Sequence, residues 1–300
     1  MNDPTVRRRF FGKATPYLYI LPFFVSFVLF GLYPLLYSLQ LSFSDFKFGQ
    51  PLKWVGLKNF ELVLSDPLFW LSLRNVIGLW IGSLTVQLVV AFILAWLLNP
   101  LVGRLRGFFS GVFYLPVVLN LVAVALTFQF MFDKNYGVIN LVLRQFGSDG
   151  VPWLTTSQWA PITIVLLIIW KGLGFYVIYI LAALQSVDVV LYEAARIDGA
   201  GTLRQIRYVT LPAIRPILLF LVVLGTVAGF QIFTEPFLLF PHSGTATLGG
   251  PESSVLTPVM YIYIQGFDYF KFGYASAIAM LVGGLIAVFS AIQFRLGQRG

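Results

Sequence analysis

The 300-residue chain contains no cysteine, which removes disulfides and thiol chemistry. It holds one histidine, His242, with no second ligand-type residue at metal spacing, so a solvated side chain is favoured over a metal centre. Charge is scarce too: 11% of residues are charged against 58% hydrophobic, and the mean hydropathy is +0.85. No soluble domain of this length has such a composition. A phosphate-binding loop is missing, because Gly12-Lys13 is followed by Ala14 and lacks the upstream glycine. No internal repeat of roughly 20–50 residues is visible, and no soluble domain stands apart. The net charge of +8 marks no nucleic-acid surface, since the basic residues are scattered in short segments and form no compact patch.

What the chain does have is apolar runs long enough to cross about 30 Å of hydrocarbon. Six are expected, near 17–41, 74–98, 108–132, 160–184, 216–240 and 274–294. Lipid offers no partner to a backbone N–H or C=O, so runs of this length must be helices, and the fold class is all-α and integral to a membrane. One membrane domain spanning 1–300 is expected. The first run is preceded by Arg7, Arg8, Arg9 and Lys13, as a secretory signal would be. It is too long for that, contains Pro22 and Pro34, and lacks a small-residue cleavage pattern, so a retained span is expected. The pairs Gly78/Gly82, Gly107/Gly111 and Gly225/Gly229 fit close helix packing.

Basic residues orient the spans. With the N-terminus cytoplasmic, 12 of the 20 Lys and Arg fall in cytoplasmic segments, among them Arg104, Arg106, Arg196, Arg204, Arg207, Arg215 and Arg295. The positive-inside rule then puts both termini and the 185–215 segment in the cytoplasm. Residues 42–73 and 133–159 are expected as short amphipathic helices over the external mouth, and Pro241 to Pro251 as a flexible external loop.

The 185–215 segment is the most specific part of the sequence. Asp188 can cap a helix over Val189 to Ile197, with Asp198-Gly199 and Gly201 reversing the chain. A second short helix over Leu203 to Val209 is expected to stop at Leu211-Pro212. Ala194 and Ala195 leave the first helix a small face that can seat in a partner's groove, with Glu193 presenting one charge beside it. An ordinary amphipathic helix on the membrane surface would have the same pattern. The joint spacing of Glu193-Ala194-Ala195, Asp198-Gly199-Ala200 and Leu211-Pro212, in a cytoplasmic loop before the fifth span, resembles the EAA loop of the membrane subunits of bacterial ATP-binding-cassette importers. Trp54 to Phe60, Ser65 to Trp70, Leu181 to Gln185 and Phe272 to Ala277 are similar to phrases of the carbohydrate-uptake permeases. Asp188 and Val190 depart from that pattern, where the family often has proline and glutamate.

The resemblance implies a type I importer permease of six spans in the bacterial cytoplasmic membrane, moving a sugar or sugar-like solute. It also implies a second, related permease, two ATPase subunits that carry ATP and Mg, and an external solute-binding protein, with no cofactor in this chain. The ATPase-coupling residues would be Glu193, Ala194, Ala195, Asp198, Gly199 and Gly201. An importer of another solute class, a passive channel, and an intramembrane enzyme using Asp45 or Glu235 are the alternatives. Neither acid has a visible partner for acid/base work.

A solute path should run along polar positions within the spans, because such groups in hydrocarbon usually face a bundle interior or a water-filled cavity. Candidates are Gln87, Asn120, Gln129, Lys171, Gln231 and Glu235, with Tyr176 in the Trp170 to Tyr176 stretch beside the lysine. The competing reading is a snorkelling lysine or amides that tie helices together.

Overall fold

The computed structural model describes residues 4–46, 51–100, 103–147, 149–240 and 248–298. His242, Gly244 and most of the loop expected from Pro241 to Pro251 lie outside them. Among the described residues five helices are long and apolar enough to span a membrane, and a bent pair of helices, taken as one span, makes a sixth. The chain divides into two compact units, residues 1–65 with 264–280, and residues 66–263 with 281–300.

In the first unit, α1 (Pro4–Phe27) and α2 (Tyr33–Ser42) are joined by a π-turn at Val28–Leu32 into one long helix. Pro34 does not interrupt it, because the wide turn shifts the carbonyl that the proline ring would otherwise strike one turn back. None of its apolar window is buried within the chain. A short hairpin follows, β1 (Ser44–Asp45) pairing antiparallel with β2 (Lys53–Trp54), and then α3 (Lys58–Leu64). Buried Asn59 donates from Nδ2 to the carbonyls of Ser42 and Ser44, both at 3.0 Å, fixing the turn against the helix end.

In the second unit, α4 (Pro67–Leu98) begins earlier than the hydrophobic run, because Asp66 Oδ1 caps it through the Leu68 N–H at 2.9 Å and Pro67 suits the first helical position. The third span is α5 (Gly103–Val118) and α6 (Leu121–Met131), which meet at 92°. Pro116 removes a donor one turn before the break, and Asn120 restarts the helix by accepting the Val122 N–H at 2.8 Å. Beyond it, Asp133 takes N–H bonds from Tyr136 and Asn135, which hold its carboxyl below the usual carboxylate range, Tyr136 contributing most. After α7 (Val138–Gln145) come α8 (Ala160–Gln185), α9 (Val189–Ile197), α10 (Thr202–Gln205), α11 (Leu211–Phe230), α12 (Thr234–Leu239) and α13 (Pro258–Tyr263). The last helix, α14 (Phe272–Gln298), starts in the first unit and ends in the second.

Two expectations are corrected here. The helix expected to stop at Leu211-Pro212 continues: a π-turn at Ile206–Thr210, with Leu211 N–H bonded to the Ile206 carbonyl, carries the chain into α11. The same device that admits Pro34 admits Pro212, so α10, the π-turn and α11 form one helix from Thr202 to Phe230. The fifth span ends at Phe230 and not near 240, because the chain turns at Gln231 to Phe233 before α12.

The second unit packs around α4 and α8 in two apolar clusters. One holds Val76, Leu79, Ile164, Leu167 and Phe230; the other holds Ala91, Ala95, Val177, Ile180 and Leu221. Polar Ser83 of α4 and Lys171 of α8 fall between the two clusters in sequence, and Gln87 follows Leu84 of the second cluster by three residues. Gly229 brings α11 so close to Trp80 that a Cβ there would sit 2.4 Å from the indole. Of the three glycine pairs expected to pack closely, Gly225/Gly229 does so, whereas a Cβ at Gly78, Gly107 or Gly111 meets nothing within 4 Å and one at Gly82 makes only ordinary contact with Val165.

Candidate functional site: a docking loop and a polar cavity

The docking loop is built from its caps outward. Asp188 Oδ1 accepts the Val190 N–H at 2.9 Å and starts α9. At the other end Gly199 takes φ +76°, and Ala200 N–H reaches back to the Ala195 carbonyl at 2.8 Å, closing the helix in the left-handed turn that glycine favours. Gln205 Nε2 donates to the Ala200 carbonyl at 2.8 Å, which ties the turn to α10. Glu193, Ala194, Asp198, Gly199 and Gly201 are all exposed, and Ala195 is half-buried. Around them, Ile197 is 87% and Leu203 83% exposed. An apolar ridge with one carboxylate beside it, uncovered among the described residues, is the surface a partner's groove would take.

The inner face of α9 is attached to the spans. Tyr192 Oη and Thr210 Oγ1 are 3.0 Å apart, and Thr210 Oγ1 also donates to the Gln205 carbonyl at 3.3 Å. That carbonyl lies where the π-turn disturbs the regular helix ladder. Tyr192 and Arg196 line a hollow of about 370 Å³ with Trp96, Asn99 and Leu184, at the C-terminal ends of α4 and α8. Tyr192 and Thr210 are not among the site residues expected from sequence. The signal was present, since a hydroxyl one residue before Leu-Pro can satisfy a carbonyl that proline leaves unpaired.

Between the two apolar clusters lies a cavity of about 290 Å³, lined by Ser83, Gln87, Lys171, Tyr176, Gly225, Gly229 and Glu235 among others. Gln87 Nε2 donates to the Ile168 carbonyl at 2.9 Å, and the absence of a Cβ at Gly172 makes room for it. Lys171 has a specific placement. Its Nζ lies 3.4, 3.2 and 3.0 Å from the carbonyl oxygens of Pro116, Val117 and Leu119, the carbonyls exposed by the break between α5 and α6. Three N–H donors thus face three acceptors at the negative end of a helix. Gly174, one turn along, is flush against the Phe113 carbonyl, so α8 and α5 touch backbone to backbone.

Of the expected path residues, the structure brings Lys171, Tyr176 and Glu235 to this cavity together with Gln87. The others stand elsewhere. Asn120 caps α6 and is exposed; Gln129 donates to the carbonyls of Leu238 and Leu239 at 3.0 and 3.1 Å, tying α6 to α12; Gln231 is exposed at the end of α11. Among the described residues no cluster of three or more His, Cys, Asp or Glu could hold a metal ion.

Residues 87–299 match the family described as binding-protein-dependent transport system inner membrane component. The lactose transport system permease protein LacF of Rhizobium radiobacter is 35% identical over 281 residues, covering 93% of this chain and 92% of that protein. The arabinooligosaccharides transport system permease protein AraP of Bacillus subtilis is 31% identical over 285 residues, covering 95% and 88%. A chain of a bacterial ABC transporter involved in the import of the acidic polysaccharide alginate superposes with a TM-score of 0.83 at 25% identity, covering 97% of this chain and 98% of that one. The chain belongs to the binding-protein-dependent transport inner-membrane family. It is a multi-pass permease subunit of an ATP-binding-cassette transport system, and a transport component, not an enzyme.

Proposed function

We propose that this chain moves a sugar or oligosaccharide inward across the cytoplasmic membrane, paired with a second, related permease. Two ATPase subunits, which carry ATP and Mg, would grip the Glu193 loop, and an external solute-binding protein would deliver the solute. Both termini and the loop would lie in the cytoplasm, in keeping with the 12 basic residues on that side. The observation that carries the reading is the exposed α9 ridge held by Tyr192 to the foot of the helix that reaches the cavity. The sugar class is supported by relatives that are permeases for lactose and for arabinooligosaccharides.

ATP-driven closure of the ATPases would push on α9, and the spans would rock between inward- and outward-open arrangements of the cavity. Docking of the binding protein outside would be coupled to the ATP-driven switch inside, and the coupling must act both ways, because linkage is reciprocal. Uptake assays in cells that retain the cognate binding protein test this. Deleting the chain should abolish uptake of the sugar that the binding protein retains and leave amino-acid uptake intact. Loss of amino-acid uptake with sugar uptake preserved would overturn the solute class.

A further inference from the structure

At the ends of α4 and α8 away from the docking loop, a furrow of about 370 Å³ runs between the two helices. Its floor and walls are apolar, from Gly78, Ile162 and Leu166 among others, and Arg74 and Ser254 stand on its lining. Ile162 and Leu166, one turn apart, are exposed, and a Cβ built on Gly78 meets nothing within 4 Å, so the furrow opens outward. In a bilayer such a furrow faces acyl chains.

One polar feature at the furrow calls for an anion. Arg74 is exposed, one turn inside Trp70, whose half-exposed indole suits the headgroup level. Ser254 borders the furrow with its hydroxyl enclosed, out of a ligand's reach. Its loop is fixed there, because Asn75 Nδ2 donates to the carbonyls of Ser253 and Leu256 at 2.8 and 3.0 Å. The Arg74 guanidinium offers a planar fork that matches two phosphate oxygens.

We propose that this furrow is a binding site for an anionic glycerophospholipid, one acyl chain lying between α4 and α8 and the phosphate accepting from Arg74. Phosphate alone satisfies the guanidinium and leaves the apolar furrow empty. An acyl chain alone fills the furrow and leaves the guanidinium without its anion. A phospholipid does both, and an anionic headgroup such as that of phosphatidylglycerol carries no ammonium to compete with the arginine.

The test uses the whole complex, purified with its cognate subunits in nonionic detergent, supplied with phosphatidylglycerol or phosphatidylcholine, and read by native mass spectrometry. Wild type should retain one phosphatidylglycerol per copy of this chain, favoured over phosphatidylcholine by at least about tenfold, or about 1.4 kcal/mol. Arg74→Gln and Gly78→Leu should each lose it with complex yield unchanged, the first by removing the cation and the second by filling the furrow. Equal retention in both variants, or equal retention of phosphatidylcholine, would overturn the site. Complete displacement by excess inorganic phosphate would reduce it to a bare anion site and overturn the lipid. Dissociation of the complex by Gly78→Leu would show that a protein subunit covers the furrow, which also overturns it. These readouts do not depend on which solute is carried.

Discussion

Lys171→Met separates a lysine that touches solute from one that holds the third span bent. Its ammonium lies within 3.4 Å of three carbonyls at the α5–α6 break, two of the contacts partly buried and one exposed. Hydrogen bonds from a charged donor contribute about 1.5–3 kcal/mol each, and the exposed one less. Allowing for water reaching the break from the cavity, the net loss should be about 2–3 kcal/mol, a shift of roughly 30- to 150-fold away from the observed bend. Methionine retains the apolar stem, so the complex should assemble at normal levels while transport falls by at least about tenfold. Because the chain has no cysteine, Leu119→Cys offers a clean reporter at the break, and its reactivity with a thiol reagent should change in the Lys171→Met background. Lys171→Arg should restore both readouts in part, since a guanidinium can still donate to carbonyls. Neutralising Glu235 should not rescue, because the partners are carbonyls and not a carboxylate. Unchanged transport and unchanged Leu119→Cys labelling in Lys171→Met would refute the reasoning and leave the bend to Pro116 and the Gly174 contact.

Glu193→Lys should leave membrane levels near normal and cut transport by about tenfold or more, a coupling loss of about 1.4 kcal/mol, measured as uptake at matched expression. Thr202→Cys should resist an impermeant thiol reagent in intact cells and Ser253→Cys should label; the reverse pattern would invert the orientation. Tyr192→Phe removes one hydrogen bond of about 0.5–1.5 kcal/mol, so transport should fall by less than about tenfold while ATPase binding in pull-downs persists.

Composition and run length made the spans legible, because lipid leaves helices as the only solution for an apolar run of that length. The caps of α9 were legible for a local reason: Asp188 and Gly199 act within a few residues of themselves, and such geometry is written in adjacent side chains. The helix through Pro212 was not. Proline ends a helix by default, and the wide turn that admits it depends on Thr210 and Tyr192, the latter in a different helix. Lys171 was found as an unusual residue in a span, yet its partners lie more than fifty positions away on a break that hydropathy averages over. Gln129 and Asn120, like Lys171, bond to backbone groups, but they stand away from the cavity.

The docking loop and the cavity are joined by covalent structure. The helix from Thr202 to Phe230 is about 43 Å long at 1.5 Å per residue, and it is tied to α9 through Thr210 at its foot. Near its other end Gly225 and Gly229 line the cavity, where built Cβ atoms would strike Leu84 and Trp80. A displacement of α9 therefore need not pass through a chain of loose contacts. It can tilt one helix whose far end is packed without spare volume against α4, and close-packed interiors respond to such a push by moving as a body or repacking. The π-turn is the wide step in that helix, Pro216 removes a further ladder donor one turn on, and the Tyr192 bond meets the π-turn from the side. In the proposed mechanism, a push at Glu193 would reach the wall of the cavity along this helix, through the wide turn at its base.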